Sequence, residues 1–249
     1  MINIVVPMAG RGSRFSKAGY TLPKPLLPVF GRPMIEVVIE NLRPQRPHRF
    51  IFICQREHLA AHELERTLLK AGPDTRIVPI DYVTEGAACT VLLAEAEVNN
   101  DDALMIANCD QYISTPIDTY LDHMERGKFD GFIMTMTAND PKWSFIGLDG
   151  NGKVTQVVEK NVISEEATVG IYNYQRGRDF VSAAHEMIES NDRVNNEFYV
   201  APAYNYMIKH GMQIGYMNIG SDRAGMYGLG VPEDLEYFNA QQRIPIGKV

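Results

Sequence analysis

Apolar residues in the first half of the chain arrive in short runs. Residues 2–6, 50–54 and 103–107 are stretches of the kind buried on both faces of a sheet, and residues 76–80 continue the series. Between these runs the spacing turns helical. Met34, Ile35, Val38, Ile39 and Leu42 recur on one face of residues 34–42, with Pro33 at a first-turn position. Residues 57–71 read as a helix ended by Gly72, and residues 87–98 as another. Strand followed by helix, several times over, predicts parallel βαβ units with helices covering both faces of the sheet.

From Gly131 the texture changes. Residues 132–137, 145–148, 154–158 and 168–174 read as strands. Asp149-Gly150-Asn151-Gly152 between two of them is a hairpin turn, because glycine and asparagine tolerate positive φ. Phe180, Val181, Ala184, Met187 and Ile188 mark a helix, and residues 202–208 a further one. Pro232 opens a C-terminal helix over 233–242, with acidic residues in its first turn where the helix dipole favours them. No repeat or low-complexity tract interrupts the 249 residues. The expected class is α/β, a Rossmann-like three-layer sandwich with a mostly parallel central sheet and inserted antiparallel strands, in a single domain.

Composition narrows the function without naming it. A hydrophobic fraction of 45% and a charged fraction of 22% are ordinary for a globular protein. The net charge of −7 argues against a nucleic-acid partner, which usually calls for a basic face. Cys54, Cys89 and Cys109 form no CxxC pair, which argues against a thiolate zinc site and a disulfide framework. No run approaches 18 apolar residues, and residues 1–7 lack the basic and apolar regions of a signal peptide. A cytoplasmic protein with no membrane segment is expected. The sequence leaves oligomeric state open, a homo-oligomer included.

The densest chemistry follows the first strand, in Met8-Ala9-Gly10-Arg11-Gly12-Ser13-Arg14-Phe15. Glycines there let main-chain N–H groups approach an anion with no Cβ in the way. Arg14 adds a fork of donors suited to phosphate oxygens, and Arg11 stands beside it. A Walker A loop would need Gly-Lys-Ser/Thr where Arg14-Phe15 stands. A dinucleotide fingerprint would need a third glycine at Phe15 and an acidic residue closing the second strand, which ends at Cys54-Gln55. Neither fits. Lys24 lies between Pro23 and Pro25, which stiffen the backbone around it, so its ammonium is well placed beside a phosphate.

These residues resemble the sugar-1-phosphate nucleotidyltransferases. Gly10, Gly12, Arg14 and Phe15, followed by Pro23-Lys24-Pro25-Leu26-Leu27, match that family's opening loop and its P-K-P segment in order and spacing. Glu85-Gly86-Ala87-Ala88 resembles its second base-contacting loop, and Asn108-Cys109-Asp110 its metal-binding aspartate after a strand. Phe145-Ile146-Gly147, Glu159-Lys160, Thr168-Val169-Gly170-Ile171-Tyr172 and Gly230-Val231-Pro232-Glu233-Asp234-Leu235 resemble later blocks, in the same order. The resemblance implies a GT-A-like nucleotidyltransferase fold, with residues 1–115 holding nucleotide and 116–249 the acceptor.

It further implies a magnesium-dependent pyrophosphorylase-type enzyme that moves a nucleoside monophosphate from an NTP to a small phosphorylated acceptor. Arg14 and Lys24 would hold phosphates and Asp110 would bind Mg2+. Met8, Ala9, Gly10, Arg11, Gly12, Ser13, Glu85, Gly86 and Asn108 would surround the nucleotide. Gly147, Glu159, Lys160, Gly170, Glu197 and Tyr199 would surround the acceptor. One departure stands out: where the family carries a second metal-binding aspartate before its G-T-P, this chain has Gly228, and Asp222 is the nearest substitute. Glu85 or Asp81 could accept from the exocyclic amine of cytosine, and equally from guanine's donors. The reading leans to CTP, with capsule or surface-polysaccharide precursors as the product class. Two rivals remain: a nucleotide-sugar-dependent glycosyltransferase, opposed by the lack of any D-x-D, and a non-catalytic nucleotide-binding relative.

Overall fold

The structure is a computed structural model that describes residues 1–10, 12–61 and 63–241. In chain order it begins with β1 (Ile2–Pro7), α1 (Ser13–Lys17), a 3-10 turn (Lys24–Leu26), β2 (Pro28–Val29), β3 (Arg32–Pro33) and α2 (Met34–Leu42). Next come β4 (His48–Gln55), α3 (Arg56–Ala61), α4 (Leu64–Leu69), β5 (Arg76–Ile80), α5 (Ala87–Leu92), α6 (Glu95–Val98), β6 (Ala103–Ala107) and β7 (Gln111–Ile113). The second half contributes α7 (Ile117–Gly127), β8 (Gly131–Thr137), β9 (Ser144–Leu148), β10 (Val154–Glu159) and β11 (Glu166–Tyr174). It closes with α8 (Gly177–Glu189), α9 (Ala203–Lys209), β12 (Ile214–Asp222), β13 (Gly225–Gly228) and α10 (Pro232–Asn239).

Eleven of the described strands form one sheet, whose main path runs β5-β4-β1-β6-β11-β8-β12-β13-β7. The first four pair in parallel, while β11 lies antiparallel to both β6 and β8. β9 and β10 form the antiparallel hairpin, turned at Asp149, whose Oδ1 accepts from the main-chain N–H groups of Asn151 and Lys153. This is the α/β architecture expected, a mostly parallel sheet with antiparallel insertions.

Alternation along each strand divides the core in two. Ile4 and Val6 face one cluster with α2, α4, α7 and α10, whereas Val5 faces the other with α5, α8 and α9. All three side chains are fully buried, which is why the strand reads as a continuous apolar run rather than an alternating one. Each contributes roughly 1.5–3 kcal/mol through burial.

Three helices differ from expectation. Residues 57–71 form α3 and α4 rather than one helix, with Glu63 at φ 51° before Leu64 and Leu68 turn inward. A right-handed helix does not run through a residue in that conformation. Residues 87–98 divide because Leu93 and Ala94 donate to Thr90 and Val91, i→i+3 bonds that tighten the last turn of α5 and re-aim the chain into α6. Helix α10 stops at Asn239, and the expected end at residue 242 lies outside the described residues. No helix among the described residues is long and apolar enough to cross a membrane.

The placement of the site follows from strand order. The chain adds β4 and β5 on one side of β1 and then returns to add β6 on the other. That reversal opens a crevice at the carboxyl ends of β1 and β6, where ligands bind in such sheets.

Candidate active site

The carboxyl end of β1 leads into the glycine loop. Met8 and Ala9 are buried, and the Met8 amide donates to the Ile53 carbonyl at 2.8 Å, so the loop leaves the sheet from a fixed point. Gly12, at φ 59°, caps the short helix α1, and Phe15 anchors it in the core, packed edge-on to Tyr20. The loop is thereby clamped at both ends, with Gly10 and Ser13 exposed between. Arg11 lies outside the described residues.

The 3-10 turn carrying Lys24 packs directly beneath this loop. A methyl group on Gly12 would lie 3.4 Å from the Lys24 Cβ. Lys24 Nζ donates to Asp110 Oδ2 at 2.8 Å, joining the turn to the segment after β6. Burial disfavours the ammonium, but the adjacent Asp110 carboxylate outweighs it and holds Lys24 above the ordinary lysine range. Burial likewise pushes the neighbouring Cys109 thiol up to about 11, so it is no nucleophile at neutral pH.

Asp110 opens onto a cavity of about 600 Å3 that Arg14, Asn108, Gly170, Glu159, Lys160, Glu197 and Tyr199 also line. They come from five separate segments: α1 for Arg14, the stretch after β6 for Asn108 and Asp110, the end of β10 for Glu159 and Lys160, β11 for Gly170, and the stretch before α9 for Glu197 and Tyr199. Lys160, at φ 55°, turns its ammonium to the Tyr199 hydroxyl at 2.6 Å and over the Tyr199 ring. Burial raises the Glu159 carboxyl above its ordinary range, while the hydroxyl donated by Ser144 and the Lys160 ammonium pull it back. Gly170 lets two polar side chains meet over it: a methyl there would stand 2.2 Å from Asn108 Nδ2 and 3.0 Å from Gln111 Oε1.

Other expected residues frame the cavity rather than line it. Gly86 lies where the 85–88 loop crosses the 197–198 segment, stitched by Phe198 N–H to the Glu85 carbonyl and Ala88 N–H to the Phe198 carbonyl. A methyl on Gly86 would meet the Phe198 carbonyl oxygen at 2.4 Å, so only glycine permits the crossing. Glu85 is paired with Arg193 at 2.9 Å and Asp81 with Arg56 at 2.9 Å, so each carboxylate already has a cationic partner. Gly147 is buried in β9 against Gln156 and does not line the cavity. Asp222 stands 3.9 Å from Lys142 and is likewise absent from the lining.

Several lining residues escaped the sequence reading. Trp143, the single tryptophan of the chain, stands at the cavity with Lys142 over its ring, and its rarity was a signal. Gln111 gives no such signal. Asp234, in the closing block already noted, lines the cavity beside Gly228, and a methyl on Gly228 would come within 3.4 Å of its Oδ2. Arg223 engages Asp234 Oδ1 at 2.8 Å.

Among the described residues no three acidic, histidine or cysteine side chains converge as a metal site. Asp110 presents a hard-oxygen ligand that fits Mg2+, an ion commonly held by one or two carboxylates together with substrate phosphates.

A family model described as Nucleotidyl transferase matches residues 4–220. The crystal structure of a nucleoside-diphosphate-sugar pyrophosphorylase from Vibrio cholerae superposes with a TM-score of 0.82 at 30% identity, covering 96% of this chain and 100% of that one. Among curated relatives, a bifunctional protein GlmU from Paraburkholderia xenovorans is 25% identical over 223 residues, 86% of this chain and 46% of the relative. A low-salt glycan biosynthesis nucleotidyltransferase, Agl11, from Haloferax volcanii is 26% identical over 217 residues, 84% of this chain and 58% of the relative. The chain thus spans about half the length of these curated relatives.

Proposed function

The chain belongs to the nucleotidyl transferase family, sugar-1-phosphate type, and on that premise we propose that it transfers a nucleoside monophosphate from an NTP to a sugar 1-phosphate or similar small phosphorylated acceptor. The supporting observation is the contact between Lys24 and Asp110 under the Gly12 loop, at the mouth of the cavity that also holds Arg14 and Lys160. Two anionic reactants need cations and a rigid frame, and this corner of the molecule provides both.

In the proposed reaction an acceptor phosphate oxygen attacks the α-phosphorus in line. A new P–O bond forms, the bond from the α-phosphorus to the bridging oxygen breaks, and pyrophosphate leaves with the electron pair. Arg14 and Lys24 hold the polyphosphate, while Lys160, steadied by Tyr199, faces the acceptor phosphate. Glu159 accepts from acceptor hydroxyls. No general base is required, since the attacking phosphate is ionised at neutral pH. Bound at Asp110, Mg2+ would supply further neutralisation of the phosphates.

CTP is the proposed donor, and precursors of capsule or other surface polysaccharides are the proposed products. The test is pyrophosphate release over a panel of NTPs and phosphorylated acceptors with Mg2+. Release that depends on both substrates supports the proposal. Its absence with every pair would refute it.

A further inference from the structure

Gln55 is a buried amide at the end of β4, only 8% exposed, with no part in the phosphate chemistry above. Its Nε2 donates to the Ala9 carbonyl at 2.8 Å and to the Tyr82 carbonyl at 3.0 Å. One partner belongs to the loop after β1 and the other to the loop after β5, so the side chain ties the two together. Both partners can only accept. The amide therefore has a single orientation, since a flip would set its oxygen against two carbonyl oxygens. Its Oε1 points away from them, and no donor among the described residues meets it.

Gln55 lines a cavity of about 400 Å3 together with Glu57, His58, Ile80, Asp81, Tyr82 and Val83. Tyr82 is 57% exposed there, an aromatic face beside a fixed acceptor. The main-chain N–H groups of Ala9 and Gly10, next to the carbonyl that Gln55 holds, donate to no main-chain group among the described residues. Gln55 thus fixes one acceptor at the cavity, on a tie to a loop whose neighbouring N–H groups are not spent on the main chain.

Its position relative to Asp110 fits a nucleotide. Gln55 ends β4, Asp110 follows β6, and β1 lies between those strands. Two interstrand spacings make about 10 Å, a span that a nucleoside triphosphate bridges with its base at one end and its phosphates at the other.

We infer that Gln55 reads the nucleobase, and that its locked carbonyl selects a base carrying an exocyclic amine where uracil and guanine carry a carbonyl. The inference rests on the nucleotidyl-transfer reading above. An amine of cytosine or adenine donates to Oε1, and the adjacent ring nitrogen accepts from a main-chain N–H. Uracil in the same pose sets oxygen against oxygen, and the amide cannot turn to relieve it. A site shaped to take a substrate N–H rejects the analogue that lacks it, because its own polar groups are left unpaired. The two amino bases share this chemistry, and separate arms of one experiment distinguish them.

That experiment is calorimetric titration of the full-length chain with the magnesium complexes of CTP, ATP, UTP and GTP. Pyrophosphate release on the acceptor panel is followed in parallel. CTP or ATP should bind at least roughly 10-fold more tightly than the keto nucleotides. In Gln55→Leu the difference should shrink to about 3-fold or less, chiefly through weaker binding of the favoured nucleotide. The wild-type ratios carry the test even if that variant folds poorly. Preference for UTP or GTP, equal binding of all four, or discrimination undiminished in Gln55→Leu would each overturn the inference. Base discrimination without pyrophosphate release from any acceptor supports Gln55 as the reader and counts against the reaction. Release without discrimination does the reverse.

Discussion

The nucleotide side and the acceptor side of the cavity are built in opposite ways. The phosphate grip of the first is contiguous: Gly12, Arg14 and Lys24 lie within thirteen residues of one another, clamped by Phe15 and by the prolines around Lys24. The second is assembled from far-separated segments, with Glu159 and Lys160 after β10, Gly170 in β11, Tyr199 before α9 and Asp234 in α10. A contiguous site is fixed by local backbone chemistry. A dispersed one is fixed by packing, and it can change its acceptor by altering one segment while the phosphate grip stays in place.

The seam between the two sides is the sharpest place to break this comparison. Gly86→Ala drives a methyl into the Phe198 carbonyl at a residue held at φ 131°, so both strain and overlap act. It should cost about 3 kcal/mol or more of stability, measured by chemical denaturation. Gly10→Ala, in the exposed loop with nothing within 4 Å, should change stability by less than about 0.5 kcal/mol. Equal effects would mean the seam is not rigid.

A smaller effect separates the sides functionally. Tyr199→Phe removes the oxygen that steadies Lys160 and leaves the ring beneath its ammonium. The KM for the acceptor should rise by roughly 10-fold, the value of one hydrogen bond to a charged group, with NTP affinity unchanged. A loss of NTP affinity instead would place Lys160 on the nucleotide side.

This contrast also governs what could be read from the chain. β1 announces itself through Ile2, Ile4, Val5 and Val6, four apolar residues in five, because both its faces are buried, and the Pro-Lys-Pro segment is legible because the prolines fix its shape locally. β12, by contrast, pairs in parallel with β8 in the middle of the sheet yet reads as no strand at all. Its sequence carries Gly215 and Gly220, and its register shifts between Asn218 and Ser221, so no period of two survives. Gln111 and Asp234 reach the cavity through the β7–β13 pairing and the packing of α10, partnerships that no spacing within the sequence encodes. The carboxylates at Asp81 and Glu85 were legible as acceptors, but their arginine partners, Arg56 and Arg193, were not.

The smallest expected effect concerns pH. A carboxyl whose folded-state pKa is raised, as burial raises Glu159, stabilises the fold below its unfolded pKa. That contribution is lost as pH rises through the folded value. Glu159→Gln should therefore flatten the decline in stability between mildly acidic and neutral pH and slightly raise the melting temperature at pH 7, while acceptor binding weakens. A stability–pH profile unchanged by the substitution would mean the carboxyl is better solvated than its burial implies.

The claim on which the rest depends is that the Lys24 ammonium, held at Asp110 beneath the Gly12 loop, grips the polyphosphate in the reacting complex. Steady-state pyrophosphate release by Lys24→Ala, with its fold verified by circular dichroism, tests it most directly. Turnover should fall roughly 100-fold or more, the range for losing one charge-stabilising donor. Turnover close to wild type in a folded variant would contradict the account.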